Sequence, residues 1–224
     1  MPVLREQFIE FLVRAQALRF GEFTTKSGRS TPYFIDTAAC STGGQLATLG
    51  SAYASLIAEQ FRGRFDVLFG PAYKGIPLVV AAATQLHLEH GIACSICFNR
   101  KEEKDHGEGG RLVGHRPKPG DRVLVVEDVT TAGTSLRENI PLLRQTPGVE
   151  VVGLVVAVDR MERGTGSTSA FVELQETFGI RARSIVTIRD VLDHLHGRAI
   201  DGRVVLDDAA RARAERYLAE HGCS

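Results

Sequence analysis

The sequence has no excess charge of either sign: 27 Lys and Arg balance 27 Asp and Glu over 224 residues. Proteins that grip nucleic-acid backbones do so with surplus cations, so no nucleic-acid partner is expected. Long apolar runs are missing as well. The longest, Val151 to Val158 and Pro77 to Ala83, fall far short of the roughly 20 residues of a membrane span, and no membrane partner is expected. The opening Met1-Pro2-Val3-Leu4-Arg5-Glu6-Gln7-Phe8 has no basic stretch leading into an apolar core, which reads as a cytoplasmic protein. Cysteine is scarce: Cys40, Cys94, Cys97 and Cys223 are too few and scattered for a disulfide scaffold. Cys94 and Cys97 have the spacing of a metal or redox pair. They fall in a β-prone segment, where residues three apart face opposite ways, so two packed thiols are expected and no shared metal.

What is present, 43% hydrophobic and 24% charged residues, suits one α/β domain spanning 1–224 that can bury its core without disulfides. Leu4, Phe8, Phe11, Leu12, Ala15 and Leu18 recur at helical spacing, with Gly21 as the expected C-terminal cap. Phe23 to Ile35 reads as a hairpin or flap around a Gly/Ser/Pro turn, so residues 1–40 form a small N-terminal hood. A second helix is marked by Leu46, Leu49, Tyr53, Leu56, Ile57 and Phe61. Strands are then expected at 66–69, 92–98, 122–126, 151–158, 170–174 and 183–188, and helices at 76–90, 134–144 and 207–221. The terminal helix reads as a packed or solvated element with no chemistry. Near-continuous Val/Leu strands imply burial on both faces, hence a doubly wound, mostly parallel sheet flanked by helices. Residues 99–119 break the pattern with four glycines, six Lys or Arg, four acids and two histidines, and read as a mobile lid loop.

Chemistry concentrates in Val123-Leu-Val-Val-Glu-Asp-Val-Thr-Thr-Ala-Gly-Thr-Ser135. A buried strand ends in two acids, and a Thr/Gly/Ser turn opens a helix. Backbone N–H groups and hydroxyls at a helix N-terminus make an anion site at the carboxyl end of a strand. Adjacent carboxylates can accept bonds from sugar hydroxyls or hold Mg²⁺. A phosphate beside a diol indicates a ribose phosphate. Phe69-Gly-Pro-Ala-Tyr-Lys-Gly-Ile-Pro77 is a second strand-turn-helix of this kind, suited to a diphosphate. The lid could close cations over that diphosphate and stabilise the leaving charge. His87, His90, His194, His196 and His221 lack partners at metal spacing and read as surface or packing positions.

The Val123 to Ser135 run resembles the 5-phosphoribosyl 1-diphosphate (PRPP) signature of the type I phosphoribosyltransferases, which commonly have Asp-Asp where this chain has Glu127-Asp128. With Thr25-Lys-Ser-Gly-Arg-Ser-Thr-Pro-Tyr-Phe34, Phe98-Asn-Arg-Lys-Glu-Glu-Lys-Asp-His-Gly-Glu-Gly-Gly110 and Asp159-Arg-Met-Glu-Arg-Gly164, the sequence is similar to the orotate phosphoribosyltransferase branch from about residue 5 to about 195. The resemblance implies a type I phosphoribosyltransferase fold. It also implies Mg²⁺-dependent transfer of phosphoribosyl from PRPP to orotate, giving orotidine 5′-phosphate and diphosphate in pyrimidine (UMP) biosynthesis. By the same resemblance, Lys26, Tyr73, Lys74, Arg100, Lys101, Lys104 and His106 contact PRPP. Glu127, Asp128, Val129, Thr130, Thr131, Ala132, Gly133, Thr134 and Ser135 form its signature loop, and Phe34, Ile35, Thr131 and Arg160 hold orotate. Lys104, His106 and Asp128 are the expected catalytic groups. Mg²⁺ is held through substrate oxygens with no direct protein ligand. A homodimer is implied, the lid of one subunit covering the other subunit's site.

Orotate is a planar anion, and an aromatic platform such as Phe34 with a bidentate cation such as Arg160 suits it. Salvage of a neutral base would need no such cation. A non-catalytic PRPP sensor that binds nucleic acid should carry an added domain or a basic face, and it would not need Lys101, Lys104 and His106.

Overall fold

A computed structural model describes residues 2–25, 28–102, 110–130, 133–164 and 166–223. In chain order the elements are α1 (Pro2–Arg14), β1 (Leu18–Thr24), β2 (Ser30–Ile35), a 3-10 turn (Thr37–Ala39), α2 (Gly43–Phe61), β3 (Val67–Gly70), α3 (Gly75–His90), β4 (Ser95–Asn99), β5 (Leu112–Gly114), β6 (Arg122–Thr130), α4 (Thr134–Leu143), β7 (Glu150–Asp159), α5 (Ala170–Phe178), β8 (Arg181–Thr187), α6 (Ile188–Leu195), β9 (Ala199–Ile200), β10 (Arg203–Val204) and α7 (Asp208–His221). Six strands form the central sheet in the order β5-β4-β3-β6-β7-β8, parallel except for β5 against β4. The pairs β1-β2 and β9-β10 are separate antiparallel ribbons.

The continuous apolar runs bury both faces of this sheet, as parallel strands between helices must. Leu68, Leu124 and Val126 pack into one core with residues of α1, α2, α3, α6 and α7, and Val67, Phe69, Val123 and Val125 pack into the other with α4 and α5. Cys94 borders the first core and Cys97 lies in the second. Burial pushes the two thiols up to about 11 and about 12, so neither is a reactive thiolate at neutral pH.

Three expectations need correction. Ala170 to Leu174 is helical, not a strand: Ser169 accepts the Val172 N–H, Phe171, Leu174 and Phe178 fall on one face at helical spacing, and Gly179 ends the helix in the left-handed region. The first helix stops at Arg14, with Gln16 at φ 57° in the exit turn. Gly21 is therefore not its cap and lies inside β1, at a bulge between Phe20 and Phe23. Leu112 and Val113, within the expected lid, add the antiparallel strand β5, so the sheet is mixed at that edge. Strand β6 also runs on to Thr130, placing Glu127 and Asp128 within it. Among the described residues no helix is long and apolar enough to cross a membrane.

Candidate active site

Strands β3 and β6 are parallel neighbours, and the chain leaves β3 toward β4 on one side and β6 toward β7 on the other. A crevice opens at such a reversal of strand order, beyond the carboxyl ends of the strands. Both strands feed a helix there. The helix α3 begins after Lys74 and α4 after Gly133, and neither has a side chain capping its first N–H groups. By contrast α2, α5, α6 and α7 are capped by Thr42, Ser169, Thr187 and Asp207. At α3 the Gly75 and Ile76 N–H groups turn back to the Pro71 and Tyr73 carbonyls at 2.9 and 3.3 Å, so what the two helices bring to the crevice is the positive end of each dipole with no capping side chain in the way, which favours anions. Glycine is required on both sides of it. A Cβ on Gly75 would lie 2.7 Å from the Gly70 carbonyl carbon, and one on Gly133 (φ 65°) would lie 2.9 Å from Leu174.

Between the two helices sits a set of charges. Lys74 Nζ is 2.9 Å from Asp36 Oδ1 and 3.1 Å from Asp128 Oδ2, while Asp128 Oδ1 accepts the Val129 N–H at 2.8 Å. Burial alone would lower the Lys74 ammonium, but the Asp128 and Asp36 carboxylates outweigh it and hold the group above its ordinary value. Glu127, the next residue along β6, turns the other way, toward the Ser135 hydroxyl at the start of α4. Burial, with the Asp128 charge adding to it and the Ser135 bond and Lys74 opposing it, pushes the Glu127 carboxyl up to about 7. The buried Tyr53 hydroxyl donates to the Glu127 carbonyl at 2.6 Å and fixes this crest from below. Asn99 Oδ1 accepts the Ala72 N–H at 2.8 Å and ties the end of β4 to the 71–74 turn, in which the Ala72–Tyr73 peptide is cis. Tyr73 is 66% exposed, and Lys101 Nζ stands 5.2 Å from its ring centroid.

A second cluster lies at the end of β7, next to the first because Thr130 and Asp159 are partners in the β6-β7 ladder. Arg160 is only 5% exposed. Its Nε donates to Glu162 Oε1 at 2.8 Å, Nη2 donates to Thr31 Oγ1 at 3.2 Å and lies in ion-pair contact with Glu162 Oε1 at 2.6 Å, and its Cζ sits 4.7 Å from the Tyr33 ring centroid. Burial would lower this guanidinium, but the Glu162 carboxylate overrides it. Among the described residues Nη1 takes part in no hydrogen bond. The fork expected of Arg160 is thus half spent on Glu162, leaving Nη1 as its free end. Glu162 also accepts the Arg29 guanidinium and the Tyr33 hydroxyl. Strand β2 joins the two clusters. Thr31 and Tyr33 touch Arg160, and Asp36, just past the strand, touches Lys74, a reach of roughly 16 Å at most.

Phe34 and Ile35 are separated by the pleat. Ile35 is buried in the core, while Phe34 faces outward, 5.4 Å from the Phe23 ring and 5.0 Å from the Arg19 guanidinium carbon. Tyr73, Lys74, Arg100, Lys101, Glu127, Asp128, Val129, Thr130, Gly133, Thr134, Ser135 and Arg160 lie at or beside the crests. Lys26, Lys104, His106, Thr131 and Ala132 lie outside the described residues. Asp36, Tyr53, Asn99, Arg29 and Glu162 were not singled out in the sequence. Only Glu162, an acid two places after Arg160, left a readable signal, because Tyr53 looks like any core residue of an amphipathic helix.

Residues 43–183 match the family model described as a phosphoribosyl transferase domain. The orotate phosphoribosyltransferase of Clostridium acetobutylicum is 49% identical over 222 residues, covering 99% of each chain. The crystal structure of orotate phosphoribosyltransferase from Francisella tularensis is similar with a TM-score of 0.80 at 35% identity, over 97% of this chain and 100% of that one. The Mycobacterium tuberculosis orotate phosphoribosyltransferase, solved in complex with PRPP, is similar with a TM-score of 0.61 at 26% identity, over 84% of this chain and 98% of that one. With such identity across nearly its whole length, the chain belongs to the orotate phosphoribosyltransferases of the phosphoribosyltransferase family.

Proposed function

We propose that the crevice between β3 and β6 transfers the phosphoribosyl group of PRPP to orotate, with the residue roles that follow. The observation that carries this reading is the pair of uncapped helix N-termini at the reversal of strand order, in a chain whose later helices are capped by side chains. The start of α4, with Thr131 to Ser135, takes the 5′-phosphate. The 71–74 turn and the start of α3, with Tyr73 and Lys74, take the diphosphate. Val129 and Thr130 contribute backbone groups, and Asp128 and Glu127 accept bonds from the ribose hydroxyls.

At the other end, Arg160 Nη1 meets the orotate carboxylate. This supports orotate over a neutral base because a buried guanidinium with one nitrogen uncommitted among the described residues suits a carboxylate. Phe34 and Ile35 meet the base at the end of β2, Ile35 through its backbone, since its side chain is buried. The orotate ring nitrogen replaces diphosphate at the ribose C1 atom. Asp128 stabilises positive charge developing at that carbon, and Lys26, Arg100, Lys101, Lys104 and His106 stabilise the departing diphosphate, the last four from the segment between β4 and β5.

Among the described residues no three His, Cys, Asp or Glu side chains converge as a metal cage. The hard oxygens of Asp128 and Glu127 beside a polyphosphate site fit Mg²⁺ held mainly by substrate oxygens and water. When bound, Mg²⁺ neutralises diphosphate charge. A homodimer with lids acting in trans is the arrangement the family resemblance implies, and the apolar Val80 and Leu88 exposed on α3 are compatible with a contact between subunits.

The deciding assay mixes purified protein, orotate, PRPP and Mg²⁺ and follows base absorbance in both directions. Orotidine 5′-phosphate and diphosphate are the expected products. Turnover of hypoxanthine or uracil in place of orotate would overturn the substrate assignment.

A further inference from the structure

We propose that Glu162 is a positioning residue for recognition of the base carboxylate: it holds the Arg160 guanidinium with Nη1 turned outward, and the C-terminal helix α7 holds Glu162 in place. The inference rests on the reading in which Arg160 binds the orotate carboxylate, and it assigns work to a helix that the sequence left without any.

Glu162 is 2% exposed, so its charge depends on the protein groups around it. Oxygen Oε1 takes the Arg160 Nε–H and the Tyr33 hydroxyl, with Arg160 Nη2 in ion-pair contact at 2.6 Å, and Oε2 takes Arg29. An arginine side chain has long rotatable arms, so fixing one edge of its guanidinium against a buried carboxylate fixes the direction of the remaining nitrogen. Thr31 Oγ1 and the Tyr33 ring close off the other approaches. Among the described residues, only the Nη1 end is left uncommitted. The direction in which it points is therefore set by Glu162 and not by the ligand.

Helix α7 supports this clamp from behind through its last turn. Residues 161–163 and 221–223 run as a short antiparallel pair. The Arg163 N–H donates to the His221 carbonyl at 2.9 Å, the Cys223 N–H donates to the Met161 carbonyl at 2.9 Å, and Glu162 is bridged to Gly222. The Arg163 side chain adds bonds to the carbonyls of Glu220 and Gly222. From the body of the helix, Tyr217 meets the Tyr33 ring edge-on at 5.6 Å and lies 5.6 Å from the Arg29 guanidinium carbon. Both Arg29 and Tyr33 bond Glu162, so α7 touches three sides of the clamp.

The test compares two competing ligands that differ only in the carboxylate, orotidine 5′-phosphate and uridine 5′-phosphate, each measured as an inhibitor constant against PRPP. Glu162→Gln should reduce the preference for orotidine 5′-phosphate roughly tenfold, the scale of one oriented charge-assisted hydrogen bond, while uridine 5′-phosphate binding changes by less than about twofold. Equal weakening of both ligands would make Glu162 a merely structural residue and overturn the proposal. An unchanged preference would overturn it, and so would a rise, which would make Glu162 a competitor of the ligand. Arg160→Ala separates the two levels. If it abolishes the preference while Glu162→Gln does not, the positioning role alone fails; if it leaves the preference intact, the assignment of Arg160 fails first. Should Glu162→Gln not fold, Tyr217→Leu decides through the same ratio, with a drop of about threefold expected and no change overturning the role of α7.

Discussion

Replacing Glu127 with Gln should make the unliganded protein more stable at pH 8 while weakening its hold on PRPP. Burial beside the Asp128 charge pushes the Glu127 carboxyl from the usual 4.5 up to about 7. Between those values the folded protein binds a proton that the unfolded chain has released. Stability therefore falls as pH rises through the window from about 4.5 to 7, and the full cost persists above it. For an isolated carboxyl the cost reaches about 3 kcal/mol at pH 8 and is below about 1 kcal/mol at pH 5. Glu127 is only partly buried, so solvent screening brings the expected gain on substitution to on the order of 1–2 kcal/mol. In a chain of this length that is a rise in Tm of about 2–8 °C. Gln keeps the shape and can still meet the Ser135 hydroxyl, but it presents no charge to a ribose hydroxyl, and the KM for PRPP should rise about tenfold. Thermal unfolding of both proteins at pH 5 and pH 8, with initial rates at pH 8, checks both halves. A stability difference of the same size at the two pH values would refute the reasoning, because a packing effect does not titrate.

Arg160→Lys should raise the KM for orotate by ten- to hundredfold with little change in that for PRPP, since a lysine cannot bond Glu162 and a ligand through separate nitrogens of one plane; steady-state kinetics with each substrate varied decides it. Gly70→Ala should cost at least about 2 kcal/mol in urea unfolding, because the new Cβ would collide with the Gly75 carbonyl. Tyr53→Phe should cost about 1–2 kcal/mol by leaving the Glu127 carbonyl without its 2.6 Å donor, read as a shift in the urea midpoint at constant slope. Lys104→Ala should lower turnover at least a hundredfold with little loss of orotate affinity. Mixed with Asp128→Ala subunits it should recover part of the activity, and heterodimers without recovery would place the lid over its own subunit's site.

The parallel core was legible because its strands are apolar on both faces, as the split of Val67, Leu68 and Phe69 between two cores requires. Local pattern misled where a short apolar run served two geometries. Ala170 to Leu174 reads equally well as strand or helix over five residues, and the Ser169 and Gly179 caps at its ends are what decide. The Val123 to Ser135 run reads as an anion site from composition alone, since few other reasons gather hydroxyls and glycine after a buried strand. Its acids read as one pair, whereas the pleat sends Asp128 to Lys74 and Glu127 to Ser135.

The least legible part is the contact between distant segments that gives each local motif its partner. Asp36, Lys74 and Asp128 come from three elements, and nothing local to any of them predicts an ammonium shared between two carboxylates. That arrangement has a chemical consequence. Before a ligand binds, the Lys74 cation is neutralised in place by Asp36 and Asp128. An arriving diphosphate then competes for Lys74, and each ammonium contact it gains is one that Asp36 or Asp128 gives up. On the proposed assignment, the freed Asp128 carboxylate then serves as an acceptor for the ribose hydroxyls of the same ligand. Substrate binding at one end of the sugar is thereby coupled to acceptor availability at its middle, an exchange of ion pairs that costs far less than burying a bare charge. Lys74→Ala should break the exchange. Asp128 would then be available before ligand arrives, so inorganic diphosphate should bind much more weakly and ribose 5-phosphate almost unchanged, whereas parallel losses for both would show that Lys74 only supports the fold.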